Sequence, residues 1–160
     1  MLKYTICFLQ RGNEVLMLNR RKAPQMGVWN GVGGKLESGE SPETCALREI
    51  YEETGISLES IEQKGMITWN GGGGDGMYAF VATLPLDYVY ETPLLTREGI
   101  LDWKPFEWLV DKNNRGVAEH IKRSLPLLLN DSKNYEHRCH FNDDGYIDGF
   151  DIIPLDPIYK

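Results

Sequence analysis

Four carboxylates, those of Glu40, Glu49, Glu52 and Glu53, and the guanidinium of Arg48 are gathered in one short stretch, 34–56. At ~100° per helical residue, Glu49, Glu52 and Glu53 project from one side of a helix, within roughly 60° either side of Glu49. Two unit charges ~6 Å apart at an effective dielectric of ~20 repel by roughly 3 kcal/mol, so such a stripe calls for positive charge. Arg48 is expected to compensate one of the three, and no lysine lies in the helix, which leaves a divalent cation. Hard oxygen donors with positions open to water and phosphate suit Mg²⁺ or Mn²⁺. A solvated acidic face is the alternative reading of any glutamate stripe. The glycines weigh against it: Gly31, Gly33 and Gly34 lead into the segment and Gly39 precedes Glu40, a loop whose backbone can approach a ligand closely.

The elements that must position these groups are legible around them. Ser41 and Pro42 make a helix start and Gly55 its stop. Upstream, the alternation of Tyr4, Ile6 and Phe8 with Thr5, Cys7 and Leu9 is followed by Arg11-Gly12-Asn13 and an apolar run, 15–18, which predicts a β-hairpin. Arg20, Arg21 and Lys22 open a polar loop, and Trp29, Asn30 and Gly31 follow it; the Asn30 amide can offer a donor and an acceptor together. Downstream, strands are expected over 61–69 and 77–84, broken by a glycine-rich tip at 71–76 with Trp69 and Met77 at its roots. An irregular connection, 88–96, should lead past Glu98 to a strand that runs through Phe106 and Trp108. Val117, Ile121, Leu125 and Leu128 follow helical spacing, with Pro126 expected to kink or restart the helix. Asp144-Gly145 marks a turn between two β-like runs, 137–141 and 146–153.

Gly34, five residues, Glu40, seven residues, Arg48-Glu49-Ile50, one residue, Glu52-Glu53, one residue, Gly55-Ile56 resembles the Nudix box at every fixed position. The flanks, 27–35 and the later EGILDW and PLLL segments, are similar to the MutT branch of that family, which resembles 8-oxo-dGTP diphosphatases. The resemblance implies an α/β fold, the Nudix-type α/β/α sandwich with a mixed sheet between two main helices. It implies metal-dependent hydrolysis of a nucleoside triphosphate to the monophosphate and pyrophosphate. It places the metal on Glu52, Glu53, the Gly33 carbonyl and Glu98. Glu49 becomes the general base or a further ligand, with Glu40 and Arg48 orienting the carboxylates. Arg20 falls on a phosphate contact, Asn30 on the base, and Trp69 and Met77 on the walls of the base pocket. The acidic or amide pair that reads an oxidised purine in that branch has no clear counterpart in 113–120; Asn114 and Glu119 are the substitutes at hand. A dinucleoside polyphosphate, a nucleotide sugar and a non-catalytic nucleotide-binding regulator stay open as alternatives, whereas ADP-ribose is disfavoured because no proline lies between Ile56 and Leu84.

With 160 residues and 41% hydrophobic content the chain suffices for one domain, 1–160. Its net charge of −7 argues against a nucleic-acid polymer as partner, since phosphate backbones are bound chiefly by Lys and Arg. A small nucleotide, reached through a metal, is the expected partner of a monomer or homodimer. Three widely spaced cysteines, no signal-peptide pattern and no apolar run long enough for a membrane span suggest the cytoplasm. Three decoys fail: no Ser or Thr follows Lys35 to complete a phosphate-binding loop, His137 and Cys139 face away from His140, and NDDGYID places His140 where a calcium loop needs its first carboxylate.

Overall fold

The computed structural model describes residues 1–23, 25–69 and 75–155. Strands β1 (Tyr4–Arg11) and β2 (Glu14–Arg20) form the expected hairpin but pair only beside its turn, at Leu9 with Leu16, Gln10 with Val15 and Arg11 with Glu14. Beyond that point they splay apart, and the following chain fills the gap. β3 (Trp29–Asn30) pairs with β2 at Leu18 and Asn19. On the other side Val32 exchanges backbone hydrogen bonds with Cys7, and the Gly34 carbonyl accepts from the Thr5 amide.

The remaining strands are β4 (Glu62–Thr68), β5 (Gly76–Leu84), β6 (Leu94–Leu95), β7 (Gly99–Pro105), β8 (Tyr135–Phe141) and β9 (Ile147–Pro154). They join one mixed sheet in the order β6-β7-β2-β1-β5-β4-β8-β9, with β3 attached to β2 off that path. The pairs β1 with β5 and β4 with β8 are parallel, and the others are antiparallel.

Both faces of the central strands are apolar because both are covered. Cys7, Leu9, Leu16 and Leu18 pack with Ala46 and Ile50 of α1 (Pro42–Thr54), whereas Ile6, Phe8, Val15 and Met17 pack with Ile121, Leu125 and Leu128. Those three belong to a second long helix on the opposite face, and each such side chain fully buried contributes roughly 1.5–3 kcal/mol. The α/β/α sandwich expected from the family resemblance is the architecture found.

The sequence misjudged two details. The strand expected through Phe106 and Trp108 stops at Pro105, and α2 (Phe106–Leu109) is a single helical turn. Pro105 has no amide to extend the ladder, and the next amide, that of Phe106, donates to the Asn13 carbonyl instead. The second long helix, α3 (Glu119–Asn130), starts after Val117, which forms a β-bridge with Trp29. Pro126 lies inside α3 without ending it, since buried Leu125 and Leu128 anchor the helix on either side. The glycine-rich tip falls largely outside the described residues, while the turn at Asp144-Gly145 is present, with Gly145 at φ 85°.

Candidate active site

α1 begins and ends as its sequence dictates. The Ser41 hydroxyl accepts the Thr44 amide at 3.2 Å, Pro42 occupies the first turn, and Gly55 takes the left-handed conformation at φ 78°. Ile50 and Ala46 are buried beneath the sheet, which turns the acidic residues toward the loop that fills the β1/β2 gap.

The three-glutamate stripe is divided in two. Arg48 does more than the single compensation expected of it. Its Nε and Nη2 donate to both oxygens of Glu40 at 2.7 and 2.9 Å, and its Nη1 donates to Glu49 at 2.9 Å and to Glu52 at 3.2 Å. The bidentate contact holds the Glu40 carboxyl down at about 2. Glu40 comes within reach because its own oxygen accepts the Glu37 amide, fixing the loop ahead of the helix.

Glu53 stands apart from this network, accepting the Gly33 amide at 2.9 Å. Its carboxyl is pushed up to about 8: burial is the largest cause, opposed next by the Gly33 amide, with the charges of Glu49 and Glu98 adding to the rise and Arg20 opposing it more weakly. Burial also raises Glu49 above the usual carboxylate range, opposed by Arg48.

A pocket of about 110 Å³ opens where β1 and β2 part. It brings Arg20, Asn30, Gly33, Glu53 and Met77 together, with Tyr4 and Ile6 on its wall. Glu98 is near enough for its charge to act on Glu53. Trp69 is not on this wall but packs beside Met77 in the α3-side core. Glu40, Arg48, Glu49 and Glu52 form the neighbouring network. A larger open groove of about 520 Å³ between Met1–Lys3 and residues 35–41 holds only Glu40 of the expected groups.

The glycines have roles the sequence could not specify. A Cβ on Gly33 would lie 2.1 Å from the Thr5 carbonyl oxygen, so the chain fits into the gap only without a side chain. A Cβ on Gly34 would lie 2.4 Å from the Glu49 carboxyl, making Gly34 the surface against which that carboxylate rests.

The donor set suits a hard divalent cation: carboxylate oxygens, one of them in Glu53 buried beside other anions. Among the described residues no three acidic, histidine or cysteine side chains stand together at ligating distance, because Glu49 and Glu52 are turned to Arg48 and Glu53 to Gly33. The three cysteines are buried and free, and no described helix is long and apolar enough to cross a membrane.

A mixed sheet between two helices, with a capped acidic helix facing a glycine loop, is the frame that holds these groups. The NUDIX domain model matches residues 2–124, and the chain belongs to the Nudix family. It is 36% identical over 107 residues to the uncharacterized Nudix hydrolase YvcI of Bacillus subtilis (strain 168), covering 63% of this chain. It is 31% identical over 100 residues to the oxidized purine nucleoside triphosphate hydrolase of Mus musculus, covering 62% of this chain. The chain spans 64% of the length of each of these relatives. In fold it is similar to a mutator MutT protein from Bacillus halodurans, with a TM-score of 0.72, 24% identity, and coverage of 95% of this chain and 97% of that one.

Proposed function

We propose that this chain hydrolyses a nucleoside triphosphate to the monophosphate and pyrophosphate, with an oxidised purine nucleotide such as 8-oxo-dGTP as the candidate substrate. The observation that carries this reading is the pocket that places Arg20, Asn30, Gly33, Glu53 and Met77 in one cleft beside the Arg48 network. Arg20 provides positive charge for phosphate, Asn30 a polar edge for the base, and Met77 an apolar wall, with Trp69 packed in the core on the α3 side. The Asn30 Oδ1 accepts the Gly31 amide at 2.9 Å, which fixes the amide plane and leaves its NH₂ group to donate.

Glu52, Glu53 and the Gly33 carbonyl, with Glu98 close by, would hold Mg²⁺ or Mn²⁺, which when bound neutralises phosphate oxygens and acidifies a coordinated water. Glu49, with a raised proton affinity, would take the proton from an attacking water. Glu40 holds the Arg48 guanidinium, and so positions Glu49 and Glu52. The small nucleotide is the expected partner, in the cytoplasm, with the protein a monomer or homodimer.

A pyrophosphate-release panel of oxidised and normal nucleoside triphosphates, dinucleoside polyphosphates and nucleotide sugars, with Mg²⁺ or Mn²⁺ and with EDTA, tests this. Metal-dependent pyrophosphate release from a triphosphate is expected. Turnover that survives EDTA would overturn the metal assignment, and nucleotide binding without hydrolysis would make the chain a regulator.

A further inference from the structure

The connection from β5 to β6, residues 85–93, holds neither helix nor strand, yet side chains fix it at four points. The Arg11 guanidinium donates to the Tyr88 carbonyl at 2.9 Å, and the Trp103 indole N–H donates to the Tyr90 carbonyl at 2.9 Å. The Thr92 hydroxyl donates to the Asp102 carboxylate at 2.6 Å, and the Tyr90 hydroxyl to the Thr54 carbonyl at 2.6 Å. Tyr88 and Tyr90 pack on the α1-side core, where the Tyr90 ring meets Trp103 edge-on and the Arg11 guanidinium lies 4.0 Å from the centre of the Trp103 ring. The connection is thus a strap that ties β1, β7 and α1 together.

Tyr90 reaches α1 where the helix leaves a polar group over. The last carbonyls of a helix have no partner within it. The Gly55 amide donates to the Tyr51 carbonyl, and the Thr54 hydroxyl turns back to the Ile50 carbonyl at 2.6 Å. The Thr54 carbonyl is met instead by Tyr90, 36 residues along the chain. Glu53, the residue before Thr54, accepts the Gly33 amide at the pocket.

The other end of the strap leads to Glu98. Leu94 follows it directly into β6, and the chain turns past Glu98 into β7. That turn is closed on itself and on β2. The Thr96 amide donates to the Gly99 carbonyl at 2.7 Å, the Glu98 amide to the Thr96 hydroxyl at 3.2 Å, and the Arg21 amide to the Glu98 carbonyl at 3.1 Å. A Cβ on Gly99 would run into the Asn19 carbonyl, so the turn sits hard against β2. Glu53 and Glu98 therefore stand on two elements, α1 and the β6/β7 hairpin, that share no ladder and are bridged by the strap.

We propose that Tyr90 is a positioning residue for the metal site: through the Thr54 carbonyl its hydroxyl fixes the end of α1 against the β6/β7 hairpin, and so sets the separation of Glu53 from Glu98. This rests on the proposed metal site of Glu52, Glu53, the Gly33 carbonyl and Glu98. Carboxylates that repel one another do not keep their spacing before a cation arrives, whereas a tie between their backbones holds it in advance. Tyr90 does not itself line the pocket, so its effect passes through α1.

Mn²⁺ titration of the full chain, followed by the electron paramagnetic resonance of the free ion, reads the site without turnover. The binding counted is that which Glu53→Gln abolishes. Tyr90→Phe keeps the ring against Trp103 and removes only the hydroxyl, and it should bind Mn²⁺ ~5-fold or more weakly. Ile121→Val, in the core on the opposite face, lowers Tm as a general loss of packing does and should leave Mn²⁺ affinity within ~2-fold. Unchanged affinity in Tyr90→Phe, or an equal loss in Ile121→Val, would overturn the positioning role even while the wild type binds the ion. A wild type that takes up no Mn²⁺ would overturn the metal assignment, and this inference with it. Should Tyr90→Phe fail to fold, Thr92→Val carries the test, because it cuts the strap from β7 at Asp102. It should weaken Mn²⁺ binding in the same direction, and an unmoved affinity there would overturn the role.

Discussion

Replacing Glu53 by glutamine should make the metal-free protein more stable near pH ~8 and inactive at every pH. The carboxyl has an ordinary value of 4.5 and is held at about 8 in the folded chain, chiefly by burial. Between these values the native state retains a proton that the unfolded chain has released, so stability falls as pH rises across the window. The loss is absent below 4.5, complete above about 8, and at ~1.4 kcal/mol per pH unit comes to at most about 5 kcal/mol. Glutamine cannot ionise, yet its amide oxygen still accepts the Gly33 amide. Urea unfolding in EDTA at pH ~5 and ~8 should therefore show a steep decline for the wild type and a shallow one for the variant. Adding Mg²⁺ at the higher pH should restore the wild type and leave the variant unmoved, since only the wild type offers an anion for the cation to neutralise. A wild type equally stable at both pH values, or a variant that declines as steeply, would refute the assignment of Glu53 as a buried, uncompensated carboxylate.

Four other substitutions probe the neighbouring parts of the site. Asn30→Ala should lower kcat/KM by ~1–3 kcal/mol for the preferred base and less for poor ones, with equal losses across bases marking Asn30 as structural. Glu49→Gln should depress kcat with little change in KM; if excess Mn²⁺ restores the rate, the residue is chiefly a ligand rather than the base. Gly34→Ala should leave Tm nearly unchanged, because the new methyl meets only the movable end of Glu49, yet should reduce turnover by displacing that carboxylate. Gly33→Ala provides the contrast: its methyl meets the Thr5 backbone, so unfolding should occur ~2 kcal/mol or more earlier, as read by denaturant midpoint.

Local chemistry explains what could be read in advance. Ser41, Pro42 and Gly55 fix the ends of α1 through contacts within the helix itself, and the period of its apolar residues shows which side is buried. The β1/β2 hairpin and the Asp144-Gly145 turn were legible for the same reason. The pocket was not, because it arises where β1 and β2 cease to pair and residues 31–34 lie between them, a matter of three segments meeting. Arg48 looked like a counter-charge for one glutamate because the loop that brings Glu40 to it is fixed by the Glu37 amide, invisible in helical spacing. Sequence set His137 aside as a metal ligand, and it is buried, but its orphan nitrogens become visible only in the folded chain.

The parallel pairing of β4 with β8 has a bearing on the order in which a growing chain can fold. Every buried residue of the α1-side core lies between Cys7 and Trp103, whereas the α3-side core draws on residues from Ile6 to Cys139. A chain emerging from the ribosome can thus seat the acidic helix on its face of the sheet while the opposite face is still bare. Closing that face requires α3 to dock and β8 to find Gly65 and Thr68 across the intervening chain, a contact of long sequence separation and slow formation. The α1 side of the sheet is then assembled before the α3 side closes, and a chaperone that shields apolar strands would meet this protein with its acidic helix seated and β4 still an open edge.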